Sequence, residues 1–259
     1  MRVRPFSYLQ QQVAEVPGGL PNINTTGLLI WVDANFPGAT PTTQWDDNSG
    51  NGNHMTVTSG ETGTNPSLTT TTDEAYYQLT GNYSSPGSSA SQTGGGYFTI
   101  ATNPLGTLYD CTYTVWVYPD LDYSQSWTVG RWISGGGSGG RSFWGSGFGS
   151  TNFGNVNTTY NPSPMRHPTQ SAWQEFTVTY DNGFGTNGVT FYQNGSQYAQ
   201  ASAGGGSIIS GKPLHFGKQY DTLNEYFSGR MAVVLIYDRP LLSSEVLSNY
   251  NAVKNRYNY

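Results

Sequence analysis

The sequence has 259 residues and a net charge of −5, and 10% of its residues are charged while 14% are aromatic. Globular proteins usually contain about a quarter charged residues, so the surface is expected to be neutral, polar and aromatic. The negative charge excludes the basic surface that sequence-independent nucleic-acid binding requires. Because no apolar run could span a bilayer and the first residues lack a signal-peptide stretch, we expect a soluble protein made without Sec export and without membrane insertion.

The first 26 residues are predicted to form an N-terminal arm. They contain three prolines and a run of three glutamines, with too few periodic apolar positions for a core element. Their apolar side chains either pack on the domain or dock onto a partner chain. We predict that residues 1–26 anchor the protein, through Arg4, Phe6, Tyr8 and Leu9.

Short β-strands are predicted from residue 27 onward, because apolar runs alternate with clusters of Gly, Asn, Ser and Pro. About eleven or twelve strands without intervening helices favour two antiparallel sheets. The main predicted strands cover residues 28–32, 55–58, 75–79, 97–101, 112–118, 125–133, 141–144, 175–180, 189–193, 214–217 and 231–237.

The C-terminal residues 243–257 form the one predicted helix. Ser243 is a suitable N-cap, Glu245 suits the positive end of the helix dipole, and Val246, Tyr250 and Val253 recur at helical spacing. The single cysteine, Cys111, excludes an internal disulfide, and its place on the apolar face of a strand predicts a buried, inert thiol.

Four motifs occur in a fixed order along the chain. Together they resemble the concanavalin A-like, laminin G-like module, which implies an all-β, two-sheet antiparallel jelly-roll sandwich over residues 27–259. These motifs specify fold, not chemistry. They are Gly-Leu-Leu-Ile-Trp-Val-Asp-Ala at 27–34 with the turn at 45–53, Tyr-Thr-Val-Trp-Val-Tyr-Pro at 113–119, the segments 173–181 and 189–195 with their Asn-Gly turn, and the segments 213–218 and 226–241.

The opening motif, the turn Asp-Asn-Ser-Gly-Asn-Gly-Asn at 47–53 and the start Arg-Pro-Phe-Ser-Tyr at 4–8 also resemble structural proteins of tailed bacteriophages. This resemblance implies a non-catalytic attachment protein of the virion, either a capsid decoration or a tail or fibre component, assembled in the host cytoplasm. The expected partners are other virion proteins, through the arm, and host-surface glycans, through a lectin-like module. A homo-oligomeric or larger assembly is expected.

Two alternatives stay open: a cellular carbohydrate-binding lectin domain, and a glycan-cleaving enzyme. Enzymes of this fold that cleave β-glucans need two carboxylates on one strand, in the pattern Glu-x-Asp-x-x-Glu. This pattern does not occur in the sequence. We therefore expect that the protein is not an enzyme.

A carbohydrate site is predicted beside the Gly-rich segment 135–140. Aromatic and arginine side chains bracket this segment and would place flat rings beside guanidinium donors, which suits sugar faces and hydroxyls. The alternative is that the rings belong to the core. The candidates are Trp127, Arg131, Trp132, Arg141 and Trp144, with Phe143 among them, and a second aromatic group, Tyr220, Tyr226 and Phe227, flanks Asp221 and Glu225 as a candidate interface patch.

Calcium is the cofactor that the loops suggest, because carboxylate and carbonyl oxygens suit a hard cation. The candidate ligands are Asp33, Asp47 and Asn48. The alternative is that Asp47 and Asn48 only stabilise the backbone of their turn, as Asx residues do.

Overall fold

The computed structural model describes residues 21–60, 63–71, 74–83, 92–106, 110–121, 129–135, 142–146, 150–155, 158–160, 168–185, 187–203, 212–219 and 225–257. Within these ranges the chain forms eighteen strands and one α-helix, α1 (Ser243–Val253). The strands are β1 (Leu28–Asp33), β2 (Gln44–Trp45), β3 (Met55–Thr58), β4 (Ser67–Thr70), β5 (Ala75–Leu79), β6 (Gly81–Tyr83), β7 (Gln92–Gly94), β8 (Tyr97–Ile100), β9 (Cys111–Pro119), β10 (Val129–Gly135), β11 (Ser142–Ser146), β12 (Ser150–Asn155), β13 (Thr158–Tyr160), β14 (Gln174–Tyr180), β15 (Val189–Gln193), β16 (Ser196–Ala201), β17 (Leu214–Phe216) and β18 (Gly229–Tyr237).

Two eight-stranded antiparallel sheets form the sandwich. Sheet 1 has the order β16-β15-β14-β9-β18-β5-β4, and β1 also pairs with β18. The edge of β18 that faces away from β9 is shared, since Gly229 to Met231 pair with β5 and Val233 to Tyr237 pair with β1. Sheet 2 has the order β13-β12-β11-β10-β17-β8-β3-β2, and β6 and β7 form a separate two-stranded ribbon. The predicted antiparallel jelly-roll sandwich is confirmed.

The structure contains more strands than the eleven or twelve predicted. The additional ones are mostly short, such as β2 with two residues and β4 with four. A strand of this length shows too few side chains for an alternating pattern to be recognised. The count from sequence was therefore too low, although the architecture was right.

The main core lies between the two sheets. The predicted alternation is confirmed in β9 and β14, where Val115, Val117, Phe176 and Val178 are fully buried. At one end of this core Trp45 packs on the rings of Tyr77 and Phe98, with centroids 4.7 and 5.2 Å away. Aromatic pairs at this spacing stabilise a core beyond their buried area.

A second apolar cluster lies on the outer face of sheet 1, where α1 packs. Trp116 stacks on Tyr250 of the helix, with ring centroids 5.5 Å apart and planes 7° apart. Val246 and Val253 are buried here, as their spacing predicted. The predicted N-cap was wrong: Leu242 holds this position, because the Glu245 carboxylate accepts its backbone N–H at 2.8 Å. The α-helix ends at Val253 and continues as a single 3-10 turn over Lys254–Arg256.

Residues 21–26, the described end of the predicted arm, lie against this helical cluster. Ile23 is 1% exposed, and the backbone N–H of Asn24 donates to Oδ1 of Asn249 at 2.8 Å. The Tyr237 hydroxyl donates to the Asn24 carbonyl at 2.9 Å. The chain is thus fixed to the sandwich from residue 23 onward, while Arg4, Phe6, Tyr8 and Leu9 lie outside the described residues, so that anchoring by the arm stays a prediction.

Two further predictions concern a turn and the cysteine. Asn194 and Gly195 both have positive φ values, 53° and 72°, and join β15 to β16 as a tight hairpin turn, as predicted. In the other Asn-Gly pair Gly52 has a positive φ but Asn51 does not, because this segment is a longer loop between β2 and β3. Cys111, the single cysteine of the sequence, is buried, as predicted. No helix in the described part of the chain is long and apolar enough to cross a membrane.

Candidate functional site

The predicted carbohydrate residues are divided between the core and the outer face of sheet 2. Trp132 is fully buried and stacks on Phe176, with centroids 4.9 Å apart, so the core-packing alternative applies to it. Arg131 lies on the opposite face and pairs in register with Trp144 of β11. Trp127, Arg141 and the side chain of Trp144 lie outside the described residues. Of the predicted set, Arg131 is thus the side chain that the structure places on an outer face.

The outer face of sheet 2 carries a row of polar side chains at paired positions. The row crosses five strands, from β11 through β10, β17 and β8 to β3. Two Oγ atoms at one end of the row are 3.1 Å apart, and the opposite end is exposed. Since the residues on either side of these positions point into the core, the row lies on the outer face of the sheet, where Ser134, Ser142 and His215 are buried, Thr99 is half-buried and Thr56 is exposed. Its members are Ser142, Ser134, His215, Thr99 and Thr56.

An ion pair lies beside this row. The Arg131 Nε donates to a carboxylate oxygen of Glu225 at 2.7 Å, and the two side chains are 13% and 9% exposed. The side-chain amide of Gln219 hydrogen-bonds both members of the pair. Its nitrogen donates to Glu225 at 2.5 Å, and its oxygen accepts from Arg131 at 3.3 Å. Gln219 and Glu225 are brought together by a backbone hydrogen bond of 2.9 Å between them. The guanidinium is therefore held in one orientation.

Aromatic rings and further donors complete the cluster. Tyr97 contacts the rings of His215 and Tyr226, with centroids 5.4 and 6.3 Å away. The Lys218 Nζ lies 5.0 Å from the Tyr97 centroid and 5.4 Å from that of Tyr226. Burial raises the pKa of the Tyr97 hydroxyl, which keeps it a neutral donor and acceptor.

We call this cluster the sheet 2 site. It combines cationic donors, a carboxylate acceptor, hydroxyls and aromatic rings on one face, which suits a ligand rich in hydroxyl groups. Its residues are Tyr97, Arg131, His215, Lys218, Gln219, Glu225 and Tyr226.

Sequence reasoning missed part of this site. Glu225 and Tyr226 were assigned to a separate interface patch, and Tyr97, His215 and Lys218 were not singled out. A local signal existed for two of them, because buried Phe98 and Ile100 put Tyr97 on the opposite face, and the same alternation in β17 puts His215 there. The pairing of β10 with β17 and β8, which brings them to Arg131, is not visible in a local pattern.

The Asp47 carboxylate is surrounded by hydrogen-bond donors of its own turn. One oxygen accepts the backbone N–H groups of Trp31 and Ser49, each at 2.9 Å. The other accepts the N–H of Asn53 at 2.9 Å and the Ser49 hydroxyl at 2.8 Å. The Asn48 amide nitrogen lies 3.4 Å from the Trp31 carbonyl. This pattern supports the alternative in which Asp47 and Asn48 stabilise the turn.

Asp33 lies elsewhere, in a bidentate pair with Arg256. The two guanidinium nitrogens are 2.9 and 2.7 Å from its carboxylate oxygens, and the backbone N–H of Asn35 donates at 3.0 Å. Among the residues that the structure describes, no group of three or more His, Cys, Asp and Glu side chains could hold a metal ion. Calcium binding by Asp33, Asp47 and Asn48 stays a prediction.

Comparisons with known proteins place these features in a family context. The family profile of the "Concanavalin A-like lectin/glucanases superfamily" matches residues 92–247, more than half of the chain. No curated protein matches the sequence.

Solved structures with the same fold were found at low sequence identity. Domain 4 of AbnA, a GH43 extracellular arabinanase from Geobacillus stearothermophilus in complex with arabinotriose, has a TM-score of 0.61 and 14% identity over 86% of this chain and 98% of that chain. The ligand-binding domain of botulinum neurotoxin serotype D in complex with N-acetylneuraminic acid has a TM-score of 0.59 and 14% identity, covering 88% and 52%. The binding domain of Paraclostridial Mosquitocidal Protein 1 has a TM-score of 0.61 and 16% identity, also covering 88% and 52%. The chain spans about half the length of both toxin domains, and these identities establish the fold alone.

Proposed function

This chain belongs to the concanavalin A-like lectin/glucanases superfamily, and from this premise we propose that it is a non-catalytic carbohydrate-binding module whose ligand lies on the outer face of sheet 2. The observation that carries the proposal is the Arg131–Glu225 pair on the same face as the half-buried ring of Tyr97, which packs on the buried ring of Tyr226. A sugar has a flat apolar face and a rim of hydroxyls that both donate and accept hydrogen bonds. Aromatic rings and an Arg–Glu pair complement both features.

The site offers sugar hydroxyls both donors and an acceptor, and Lys218 leaves it with one positive charge. Glu225 offsets the charge of Arg131 at 2.7 Å, while Lys218 lies over two tyrosine rings and supplies a further donor. Buried polar groups that are already oriented bind with a smaller entropic cost than flexible ones. The hydroxyls of half-buried Thr99 and exposed Thr56 extend this surface across β8 and β3.

The carboxylates in the site fit a protein that binds a glycan better than one that cleaves it. Canonical glycoside hydrolysis uses two carboxylates on either side of the scissile bond. In the described part of the sheet 2 site, Glu225 is the single carboxylate, and its Oε2 accepts hydrogen bonds from both Arg131 and Gln219. Such a group is held as an acceptor and is poorly suited to transfer a proton. The glycan-cleaving enzyme is therefore the weakest of the three functions considered.

The finer proposal is that the module works on a virus particle, as a capsid decoration or a tail or fibre component. It is supported by the opening motif at 27–34 and by the attachment of Ile23 and Asn24 to the helical cluster. The proposal is that residues 1–20, which precede this point of attachment, bind a neighbouring virion protein. Host-surface glycans are then the proposed ligand, whereas a cellular lectin domain would use the same site without a particle.

The test is a glycan-array screen of the full chain, followed by proton–nitrogen correlation spectra with the strongest ligand. We expect the largest shifts at the backbone amides of Tyr97, Arg131 and His215. Shifts confined to other parts of the chain, or an array without signal, would remove the sheet 2 site from consideration. Incubation with the same oligosaccharides should release no new reducing ends, and their appearance would favour the enzyme instead.

A further inference from the structure

A separate pocket lies on the outer face of sheet 1, on the opposite side of the sandwich from the sheet 2 site. Its volume is about 370 Å³, at the lower end of the range typical of small-molecule sites. Its lining comes from the residue before β5, from β9 and β18, from the residues before β14 and from the C-terminal segment after α1. It is lined by Glu74, Tyr118, Ser171, Ala172, Trp173, Arg230 and Tyr257.

The guanidinium of Arg230 is held between two tyrosine rings. Its central carbon lies 4.6 Å from the centroid of Tyr76 and 4.2 Å from that of Tyr118. With rings this close to the central carbon and Nε buried, the terminal Nη groups are where a ligand can approach the guanidinium. The ring contacts therefore fix where a ligand acceptor must lie.

Glu74 connects this cation to the wall of the pocket. One of its oxygens lies 3.3 Å from Nη1 of Arg230, and the other accepts the indole N–H of Trp173 at 2.5 Å. The distance to Arg230 is long for a charge-assisted hydrogen bond. Among the described residues, Nε of Arg230 has no hydrogen-bond partner, but this atom is buried, so a ligand would bind the Nη groups. The protein thus uses little of the hydrogen-bonding capacity of this guanidinium.

Trp173 forms the wall together with other aromatic side chains. Its ring centroid lies 4.7 Å from Tyr257 and 5.7 Å from Tyr118, and Trp173 is 7% exposed. At the rim Ser171 has a positive φ of 55°, which is uncommon for a residue other than glycine, and its backbone N–H donates to the Pro119 carbonyl at 2.9 Å. The rim is therefore held in a defined shape rather than being an open loop.

We propose that this pocket is a second binding site, for one neutral sugar residue. Arg230 and Glu74 cancel in charge, so the pocket favours a neutral ligand that both donates and accepts hydrogen bonds. Aromatic walls suit the apolar face of a sugar ring. The proposal shares only its ligand class with the sheet 2 site, and it gives the module binding sites on both faces.

The experiment follows the Trp173 indole N–H in proton–nitrogen correlation spectra of the full chain. The chain has seven tryptophans, and loss of one signal in Trp173→Phe assigns it. The probes are D-glucose, D-galactose, L-arabinose and N-acetyl-D-glucosamine at millimolar concentrations, with D-glucuronate as the charged probe. Because this N–H donates to Glu74, we expect at least one neutral probe to shift its signal.

Ala172→Tyr fills the pocket and should raise the Kd measured from the Trp173 signal about tenfold or more. Ala172→Leu should raise this Kd less. The control Ser202→Tyr adds the same ring at an exposed position beyond β16, and should leave the response unchanged. The proposal is overturned if no neutral probe shifts the signal, if glucuronate alone does so, or if the response is the same in Ala172→Tyr.

The variant Arg131→Ala separates this proposal from the proposed function. We expect the Trp173 response to persist in this variant, and loss of the response would overturn an independent second site. The amides of Tyr97 and His215 report the sheet 2 site in the same spectra. If the amide signals of Tyr97 and His215 do not shift while the Trp173 signal does, the sheet 2 proposal fails and the pocket proposal stands.

Discussion

The Nε of Arg131 lies 2.7 Å from a carboxylate oxygen of Glu225, although 94 positions separate the two residues in the sequence. Arg131 comes from β10, and Glu225 follows β17, which pairs with β10 in sheet 2. The sheet thus brings together a cation and an anion whose side chains are 13% and 9% exposed. A pair this buried is stable only while both members are present.

The first prediction concerns the stability of this pair. Glu225→Leu leaves the Arg131 guanidinium without its carboxylate, and we expect a loss of about 3 kcal/mol in the free energy of unfolding. Urea denaturation measures it. The double variant Arg131→Met with Glu225→Leu removes both charges and should recover most of the loss. A double variant as unstable as Glu225→Leu would show that packing, rather than the unpaired charge, causes the effect.

The second prediction concerns the turn at Asp47. Asp47→Ala leaves the backbone N–H groups of Trp31, Ser49 and Asn53 without their acceptor, so we expect a loss of about 2–3 kcal/mol. The control is Asp46→Ala, since the Asp46 side chain is 29% exposed and should cost well under half as much. Equal losses for the two variants in urea denaturation would contradict the turn-stabilising role.

Calcium can be tested on the unmodified chain. If Asp33, Asp47 and Asn48 bind the ion, the melting temperature should rise with calcium concentration. The hydrogen bonds to Asp47 and the Arg256 pair of Asp33 lead us to expect no rise. A rise that disappears in Asp47→Ala would instead establish the calcium site.

The third prediction concerns pH. Burial raises the pKa of Glu175 from 4.5 to about 7, although hydrogen bonds from Thr177, Gly195 and Asn194 act in the opposite direction. Because the pKa is higher in the folded state, the contribution of Glu175 to stability is fully present below about pH 4.5. It is lost as the pH rises through 7. We expect Glu175→Gln to remove this decrease, which amounts to up to about 3 kcal/mol.

Glu245 is the matched control for this measurement. Hydrogen bonds from Arg239 lower the pKa of its carboxyl, so its contribution to stability is present above the ordinary pKa and is lost as the pH falls. Glu245→Gln should therefore reduce the loss of stability at acid pH and leave the interval between pH 4.5 and 7 unchanged. Unfolding free energies across this interval that do not differ between wild type and Glu175→Gln would contradict the account.

Local patterns predicted the sandwich well, but long-range geometry limited the prediction of the site. Val115 and Val117 alternate in β9, and Asn194-Gly195 is a turn that local preferences specify. Trp132 was a candidate sugar contact, but the register shifts between Arg131 and Ile133, which turns two consecutive side chains, Trp132 and Ile133, into the core. Such a bulge has no local signal.

The fourth prediction concerns the arm. Deleting residues 1–20 should leave the melting temperature unchanged and abolish binding to purified particles that lack the protein. Deleting residues 1–26 should also cost about 1–3 kcal/mol, because buried Ile23 and the Asn24 hydrogen bonds are lost. Particle binding that survives deletion of residues 1–20 would remove the arm as the anchor.

The central claim is that the outer face of sheet 2 binds carbohydrate, and calorimetric titration of the strongest array ligand into wild type and Arg131→Ala tests it most directly. The control is Gln197→Ala, an exposed position on β16 of sheet 1. We expect the Kd to rise about tenfold or more in Arg131→Ala, or roughly 1.4 kcal/mol, and to stay unchanged in the control. An unchanged Kd in a folded Arg131→Ala variant would contradict the claim.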